Sequence, residues 1–97
     1  MNAFETMHYA AANKAIEAAK AMLVAIEQMR AANDVNEWHW IDANKIFLAA
    51  VRAAKIAGET AEAAGKFELA DEYMAQNNAF GDARATIEIE LYQLKAA

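Results

Sequence analysis

The sequence contains no proline, no cysteine and no serine, and glycine occurs only at Gly58, Gly65 and Gly81. Without cysteine the chain has no disulfide, no thiolate metal ligand and no cysteine nucleophile. Alanine is abundant, and it is the residue most compatible with a helix interior, whereas proline and glycine are the least compatible. Valine, isoleucine and threonine are few and do not alternate with polar residues, so no strand is predicted. We therefore expect an all-α protein.

A long apolar run and a basic leader segment are also missing. The longest apolar runs, such as residues 21–26, cover six residues, far short of the roughly 20 residues that a membrane span requires. The first eight residues carry Glu5 and no basic cluster, which is not the pattern of a signal peptide. We expect no membrane contact and a cytoplasmic location.

Size limits the core that this chain can build. Its 97 residues are enough for a single domain, 1–97, and 58% of them are hydrophobic, although many of these are alanine. A chain of this length buries only roughly 60–65% of the surface that it exposes when unfolded. The core is therefore expected to be modest and to depend on close helix packing.

Apolar spacing predicts three helices of similar length. Asp34 and Glu37 have the spacing of a capping box at the start of the second helix, and Gly65 interrupts the pattern at its end. The segment 65–73, Gly-Lys-Phe-Glu-Leu-Ala-Asp-Glu-Tyr, resembles the turn and second-helix opening of a tetratricopeptide repeat, which implies a tight helical hairpin at Gly65. We predict an antiparallel up-down-up bundle of three long helices, about 2–32, 35–64 and 66–96, with a possible kink of the third at 77–82.

On each helix, one line of residues is predicted to face the core. These lines are Phe4, Met7, Ala11, Ala15, Ala18, Met22, Ala25 and Met29 in the first helix, with Ala12, Ile16, Ala19 and Leu23 beside them; Trp40, Asn44, Phe47, Val51, Ala54 and Gly58 in the second; and Leu69, Tyr73, Phe80, Ile87, Leu91 and Leu94 in the third. Gly58 is expected opposite Tyr73. Asn44, Asn77 and Arg84 also point toward the core, where a buried asparagine most often fixes the register between helices; the alternative is a polar ligand-binding pocket.

The triplet 38–40 separates two tryptophans. Residues two apart on a helix point roughly 200° away from each other, so Trp38 faces outward if Trp40 faces the core. With Lys45, Arg52 and Ile56, Trp38 forms a row of aromatic, aliphatic and basic groups, which is the composition of a protein-binding hot spot. The alternative is that Trp38 folds over the turn 33–36 and acts as a local staple.

Candidates for catalysis and metal binding are weak. Glu5 and His8 have the Glu-x-x-His spacing of a carboxylate-bridged metal bundle, but such sites use two pairs and further inward carboxylates, which the sequence does not supply. Serine and cysteine nucleophiles are missing, and there is no glycine-rich phosphate loop. We expect no catalytic residue, no metal and no cofactor.

Charge is concentrated in the last third of the chain. Residues 1–58 carry six acidic and six basic side chains, whereas residues 59–94 carry eight acidic and two basic ones. This imbalance disfavours direct nucleic-acid binding and permits binding to a basic or nucleic-acid-binding protein. The candidate acidic surface consists of Glu68, Asp71, Glu72, Asp82 and Glu88.

These features favour a small acidic helical protein that acts by stoichiometric protein binding, as an adaptor, regulator or inhibitor. In its compact, acidic, cysteine-free form the chain is similar to small phage-encoded inhibitors, including some anti-CRISPR proteins, and the similarity implies that the acidic third helix could occupy a basic nucleic-acid channel. The alternative is a homo-oligomeric structural or scaffolding bundle, because Phe67, Met74, Ile89 and Tyr92 lie outside the predicted core stripe.

Overall fold

The computed structural model describes residues 1–96, and these form three α-helices with no strand among them. The helices are α1 (Ala3–Ala31), α2 (Glu37–Ala63) and α3 (Phe67–Ala96). They lie side by side in a rod with extents of 49 × 19 × 17 Å. The predicted three-helix architecture is confirmed, and α3 runs unbroken through 77–82. α2 packs against both other helices, whereas the backbones of α1 and α3 scarcely approach each other.

Side-chain caps define where α1 and α2 begin. The Asn2 Oδ1 accepts a hydrogen bond from the Glu5 N–H at 2.8 Å. At the start of α2, the Asn36 Oδ1 accepts from the His39 N–H at 3.2 Å, and the His39 Nδ1 accepts from the Asn36 N–H at 3.4 Å. This reciprocal pair satisfies two backbone donors that the helix leaves without partners.

The predicted capping box of Asp34 and Glu37 is wrong, because Asp34 belongs to the end of α1. Its N–H bonds back to the Met29 carbonyl at 2.9 Å, across Asn33 with a φ of 54°. The α2–α3 turn repeats this arrangement, with Gly65 at a φ of 75° and the Lys66 N–H bonded to the Ala61 carbonyl at 2.9 Å. Both are Schellman motifs, in which a residue in the left-handed conformation reverses the chain after a helix.

The core phase of α2 agrees with the sequence. Trp40 and Phe47 are fully buried, and the Phe47 ring stacks on Phe80 with 6.0 Å between centroids. A second, alanine-rich row of α2 is also buried, because a helix flanked by two neighbours has to bury two rows. That row consists of Ala43, Ala50, Ala57 and Ala61.

The close approach of α2 to α3 occurs at Gly58. A Cβ atom at this position would lie 3.0 Å from the Met74 Sδ and 3.5 Å from the Ala70 carbonyl oxygen. The large residue that faces Gly58 is therefore Met74, and the prediction of Tyr73 is wrong by one position along α3. Tyr73 points toward α1 instead, where its ring stacks on Tyr9 at 5.8 Å.

The core row of α1 is rotated from the predicted one. Phe4 and Met7, the first residues of the predicted stripe, are 63% and 55% exposed. The buried row shares Ala12, Ile16 and Ala19 with the row that the sequence placed beside it, but the predicted Leu23 is exposed, and Tyr9, Ile26 and one carboxylate are buried instead. Its members are Glu5, Tyr9, Ala12, Ile16, Ala19 and Ile26. Bulky residues set the phase here, because alanine occupies almost every side of α1 and favours none.

Candidate protein-binding surface

The two tryptophans of α2 occupy opposite environments. Trp38 is 73% exposed, whereas Trp40 is 1% exposed. Lys45, Arg52 and Ile56 are also exposed and follow Trp38 along the side of α2 that faces away from α1 and α3. We refer to Trp38, Lys45, Arg52 and Ile56 as the α2 stripe. It extends over about 27 Å at the rise of an α-helix.

Local structure at the start of α2 explains why Trp38 remains outside. With Asn36 as N-cap, Val35 and Trp40 occupy the two positions of a hydrophobic staple, and both line the same shallow depression near Leu94. The Arg30 guanidinium covers the other side of Trp40, 5.4 Å from the ring centroid. The alternative role of Trp38 as a staple over this turn is therefore wrong: Trp40 sits at the staple position, and Trp38 is left to solvent.

The basic residues of the α2 stripe have no carboxylate partner within residues 1–96. Lys45 and Arg52 lie seven residues apart, and Lys55 follows on the α3 side of the stripe. The surface thus combines an exposed tryptophan with unpaired cations. A segment that carries both apolar and acidic side chains could contact the two together and exclude water from both.

The predicted acidic surface is divided by the structure. All five of its residues are exposed, but they lie on different sides of α3. Glu72 lines a groove toward α1, whereas Glu88 pairs at 3.0 Å with Arg84, one turn earlier on α3. Glu68, Asp71 and Glu72 cluster in the first turns of α3, where the helix dipole favours negative charge. Asp82 stands apart, eleven residues beyond Asp71.

A groove between α1 and α3 is a feature that the sequence analysis did not identify. Its larger part has a volume of about 400 Å³, and the Tyr73 hydroxyl beneath it donates a hydrogen bond to the Asn13 Oδ1 at 2.9 Å. Burial raises the pKa of Tyr73, and this effect is larger than the opposing effect of the hydrogen bond to Asn13. The groove exists because α1 and α3 meet through long side chains rather than through close backbones, a property that depends on register and not on composition.

One carboxylate is buried at the base of the bundle. The Glu5 Oε2 accepts hydrogen bonds from the Lys66 Nζ at 2.7 Å and from the Tyr9 hydroxyl at 3.2 Å. The hydrogen bond from Lys66 is the largest influence on the pKa of Glu5 and holds it below its ordinary value, against the opposing effect of burial. The same hydrogen bond raises the pKa of Lys66, and burial raises the pKa of Tyr9. The cluster ties the start of α1 to the α2–α3 turn.

This cluster bears on the Glu-x-x-His spacing. The Glu5 carboxylate is taken up by Lys66 and Tyr9, while the His8 ring packs edge-on against Phe4 at 4.4 Å. Across residues 1–96, no three His, Asp or Glu side chains come together as a metal site would require. Nothing in the geometry gives Glu5 and His8 a joint chemical role.

Three polar residues fix how α2 sits on α3. The Asn77 Nδ2 donates to the Val51 carbonyl at 2.8 Å, and the Arg84 Nε donates to the Asn44 Oδ1 at 3.1 Å. Arg84 also reaches Glu88, so its charge is paired, as an inward-pointing arginine requires. These hydrogen bonds fix the register between α2 and α3, which is the role expected for Asn44 and Asn77.

Comparison with known protein families, curated proteins and solved structures finds no match to this chain. Within residues 1–96, none of the three helices combines the length and the apolar character needed to cross a membrane.

Proposed function

We propose that the protein acts by stoichiometric protein–protein binding, as an adaptor, regulator or inhibitor, and that the α2 stripe is its contact surface. The observation that carries the proposal is the 73% exposure of Trp38 at the head of a row that continues through Lys45, Arg52 and Ile56. Tryptophan and arginine are the residues most enriched among those that dominate binding energy. The proposal assigns no catalysis and no cofactor to the chain.

A variant of the proposal uses the acidic surface instead. An inhibitor of the phage type, such as an anti-CRISPR protein, could place α3 in a basic nucleic-acid channel of its target. The distribution of Glu68, Asp71, Glu72, Asp82 and Glu88 over several sides of α3 favours the α2 stripe over this variant. Salt separates the two modes, because binding through many carboxylates weakens steeply as ionic strength rises, whereas binding centred on Trp38 weakens little.

The test compares Trp38→Ala with Phe4→Ala, a matched control that truncates an exposed aromatic residue on α1. Each immobilised protein is exposed to an extract of the native host, and the protein captured by the wild type is identified by mass spectrometry and purified. We expect Trp38→Ala to weaken the reconstituted complex by at least about 30-fold, the effect of a hot-spot residue, and Phe4→Ala to leave it unchanged. Both variants should melt like the wild type, because both side chains are exposed.

Capture that survives Trp38→Ala would contradict the proposal. So would a large loss of thermal stability in that variant, which would show that Trp38 supports the fold rather than a complex. A captured protein lost equally with Phe4→Ala would place the contact surface on α1 or make it nonspecific.

A homo-oligomeric structural bundle is the second candidate. It is favoured by four exposed apolar residues on α3, namely Phe67, Met74, Ile89 and Tyr92. The mass of the protein in solution, measured by light scattering after size exclusion, separates it from a monomeric binder.

A further inference from the structure

The α2 stripe is one half of a larger face that continues on α3. On α3, Tyr73 and Glu90 bond to α1, and the side directly opposite carries the exposed apolar residues of this helix. Of the twelve large apolar residues that are exposed within residues 1–96, six lie on this joint α2–α3 face, which is the side of the bundle without α1. They are Trp38, Ile56, Phe67, Met74, Ile89 and Tyr92.

Charges on the two halves of the face are of opposite sign. Between Lys45 and Lys55, α2 carries three basic residues and no acidic one. On α3 the face carries Asp71 and Asp82, whereas Glu72 turns toward α1. Within residues 1–96 none of the charges on the face takes part in an ion pair. The face therefore presents a positive segment on α2 beside a negative segment on α3, and the charges of both can pair with a partner.

These segments lie at the same height. The contacts of Asn77 with Val51 and of Arg84 with Asn44 fix the register, and each step forward along α2 is one step back along α3. By this register Lys45 lies level with the residue next to Asp82. In the same way Trp38 lies level with Glu90, between Ile89 and Tyr92, and Ile56 lies level with Glu72, one residue from Asp71.

We propose that a second copy of this chain binds on the α2–α3 face, related by a two-fold axis parallel to the helices. Such an axis keeps every residue at its own height, so α2 of one copy lies antiparallel on α3 of the other. Lys45 then faces Asp82 of the second copy, and Trp38 packs on Ile89 and Tyr92 of the second copy. The four helices form a square in which all neighbours are antiparallel, as in a four-helix bundle, and each α1 lies outside it.

Charge selects this arrangement over the other two-fold arrangement. An axis across the helices near the centre of the face would lay α2 on α2, so the basic segment 45–55 of one copy would face the same basic segment of the other, a repulsive contact. The parallel axis makes an isologous interface in which one set of contacts occurs twice. A face on a molecule 49 Å long and 17–19 Å wide also suits the roughly 800 Å² per partner that a stable interface buries.

This inference rests on the proposed function because it uses the same α2 stripe: a dimer formed through this face covers Trp38, so a different protein would bind the stripe only after the dimer dissociates. The two are nevertheless tested separately. Charge reversal at Lys45 and Asp82 reports on self-association alone, whereas capture of a different protein is tested through Trp38. A protein that remains monomeric contradicts the inference and leaves the capture experiment as the test of the proposed function.

The experiment uses the variants Lys45→Asp and Asp82→Lys, singly and mixed in equal amounts, with Lys14→Asp on α1 as the matched control. Sedimentation at a series of concentrations gives the dimer dissociation constant of each sample. Each single variant places like charges together twice, and we expect its dimer to be at least about tenfold weaker than that of the wild type. In the mixture every reversed residue meets its opposite, so the dimer should return to wild-type strength and contain one chain of each variant.

At a protein concentration low enough to keep every sample monomeric, thermal melts of the variants should match the wild type, because Lys45 and Asp82 are exposed and unpaired within residues 1–96. Three outcomes would overturn the proposal: a wild-type protein that stays monomeric to the highest soluble concentration, a dimer that neither reversal weakens more than Lys14→Asp does, or a mixture no stronger than its two components.

Discussion

The same substitution, glycine to alanine, is expected to have opposite effects at Gly65 and Gly81. At both positions a new Cβ atom would have no heavy atom within 4 Å apart from those of its chain neighbours and local helix backbone, so crowding does not distinguish them. Gly81 lies in the interior of α3, where alanine is favoured over glycine by roughly 0.8–1 kcal/mol. Gly65 has a φ of 75°, and a side chain in this left-handed conformation costs about 1–2 kcal/mol.

The net magnitudes follow from these two terms. Gly81→Ala should raise the free energy of unfolding by about 1 kcal/mol. At Gly65 the cost of the left-handed conformation is partly offset by the smaller entropy of the unfolded alanine chain, about 0.4–1 kcal/mol, so Gly65→Ala should lower stability by about 1 kcal/mol. For a domain of this size 1 kcal/mol corresponds to roughly 4–8 °C in melting temperature, and the two variants should melt roughly 8–16 °C apart.

Urea and thermal denaturation followed by circular dichroism measure both effects, at a protein concentration low enough to keep self-association out of the transition. The double variant should be close to the wild type, because the two positions share no contact and their effects add. A Gly81→Ala protein less stable than the wild type would show that α3 needs a bend at this position. A neutral Gly65→Ala protein would show that the α2–α3 turn does not use the left-handed conformation.

Two further predictions concern the core and the buried carboxylate. Trp40→Ala should lower the free energy of unfolding by about 3–5 kcal/mol, because it empties a fully buried site. Urea denaturation measures this loss of stability. A loss no larger than that of Trp38→Ala would contradict the assignment of Trp40 to the core. The folded state holds the pKa of Glu5 below its ordinary value of 4.5, so the stabilisation that it contributes is present above pH 4.5 and is lost as the pH falls through the folded value. Glu5→Gln should therefore show a smaller loss of stability over that acidic range than the wild type, as read from urea midpoints at a series of pH values; equal slopes would refute the role of the Lys66 contact.

Large side chains made the core-facing side of α2 predictable from the sequence. Trp40 and Phe47 fix the phase of α2 because only one side of a helix can bury both, and the same reasoning places Trp38 outside. Helix lengths followed from the absence of proline and the position of Gly65.

Local patterns failed where partners distant in sequence decide the outcome. The burial of Glu5 depends on Lys66, 61 residues away, and no hydropathy pattern places a carboxylate in a core row. The phase of α1 was wrong because Phe4 and Met7 are larger than the alanines around them, yet Tyr9, Ile16 and Ile26 direct the helix the other way. The capping pair of Asn36 and His39 was missed because histidine at the third helical position is an unusual capping partner.

The surface was predictable in composition and less so in arrangement. The residues of the α2 stripe could be identified because their spacing on one helix fixes their common side. The continuation of that face onto α3 required the register between the two helices, which Asn77 and Arg84 determine through contacts that the sequence does not display.

The unequal packing of the three helices has a consequence for how the protein opens. α2 and α3 are joined along their length, whereas α1 leans on α2 and meets α3 mainly through side-chain contacts such as Tyr73 with Asn13. Partial unfolding proceeds through the least supported cooperative unit, so α1 should detach while the α2–α3 hairpin persists. The amide protons of α1 would then exchange with solvent sooner than those of α2. The hairpin that survives is the part of the molecule that carries both halves of the α2–α3 face.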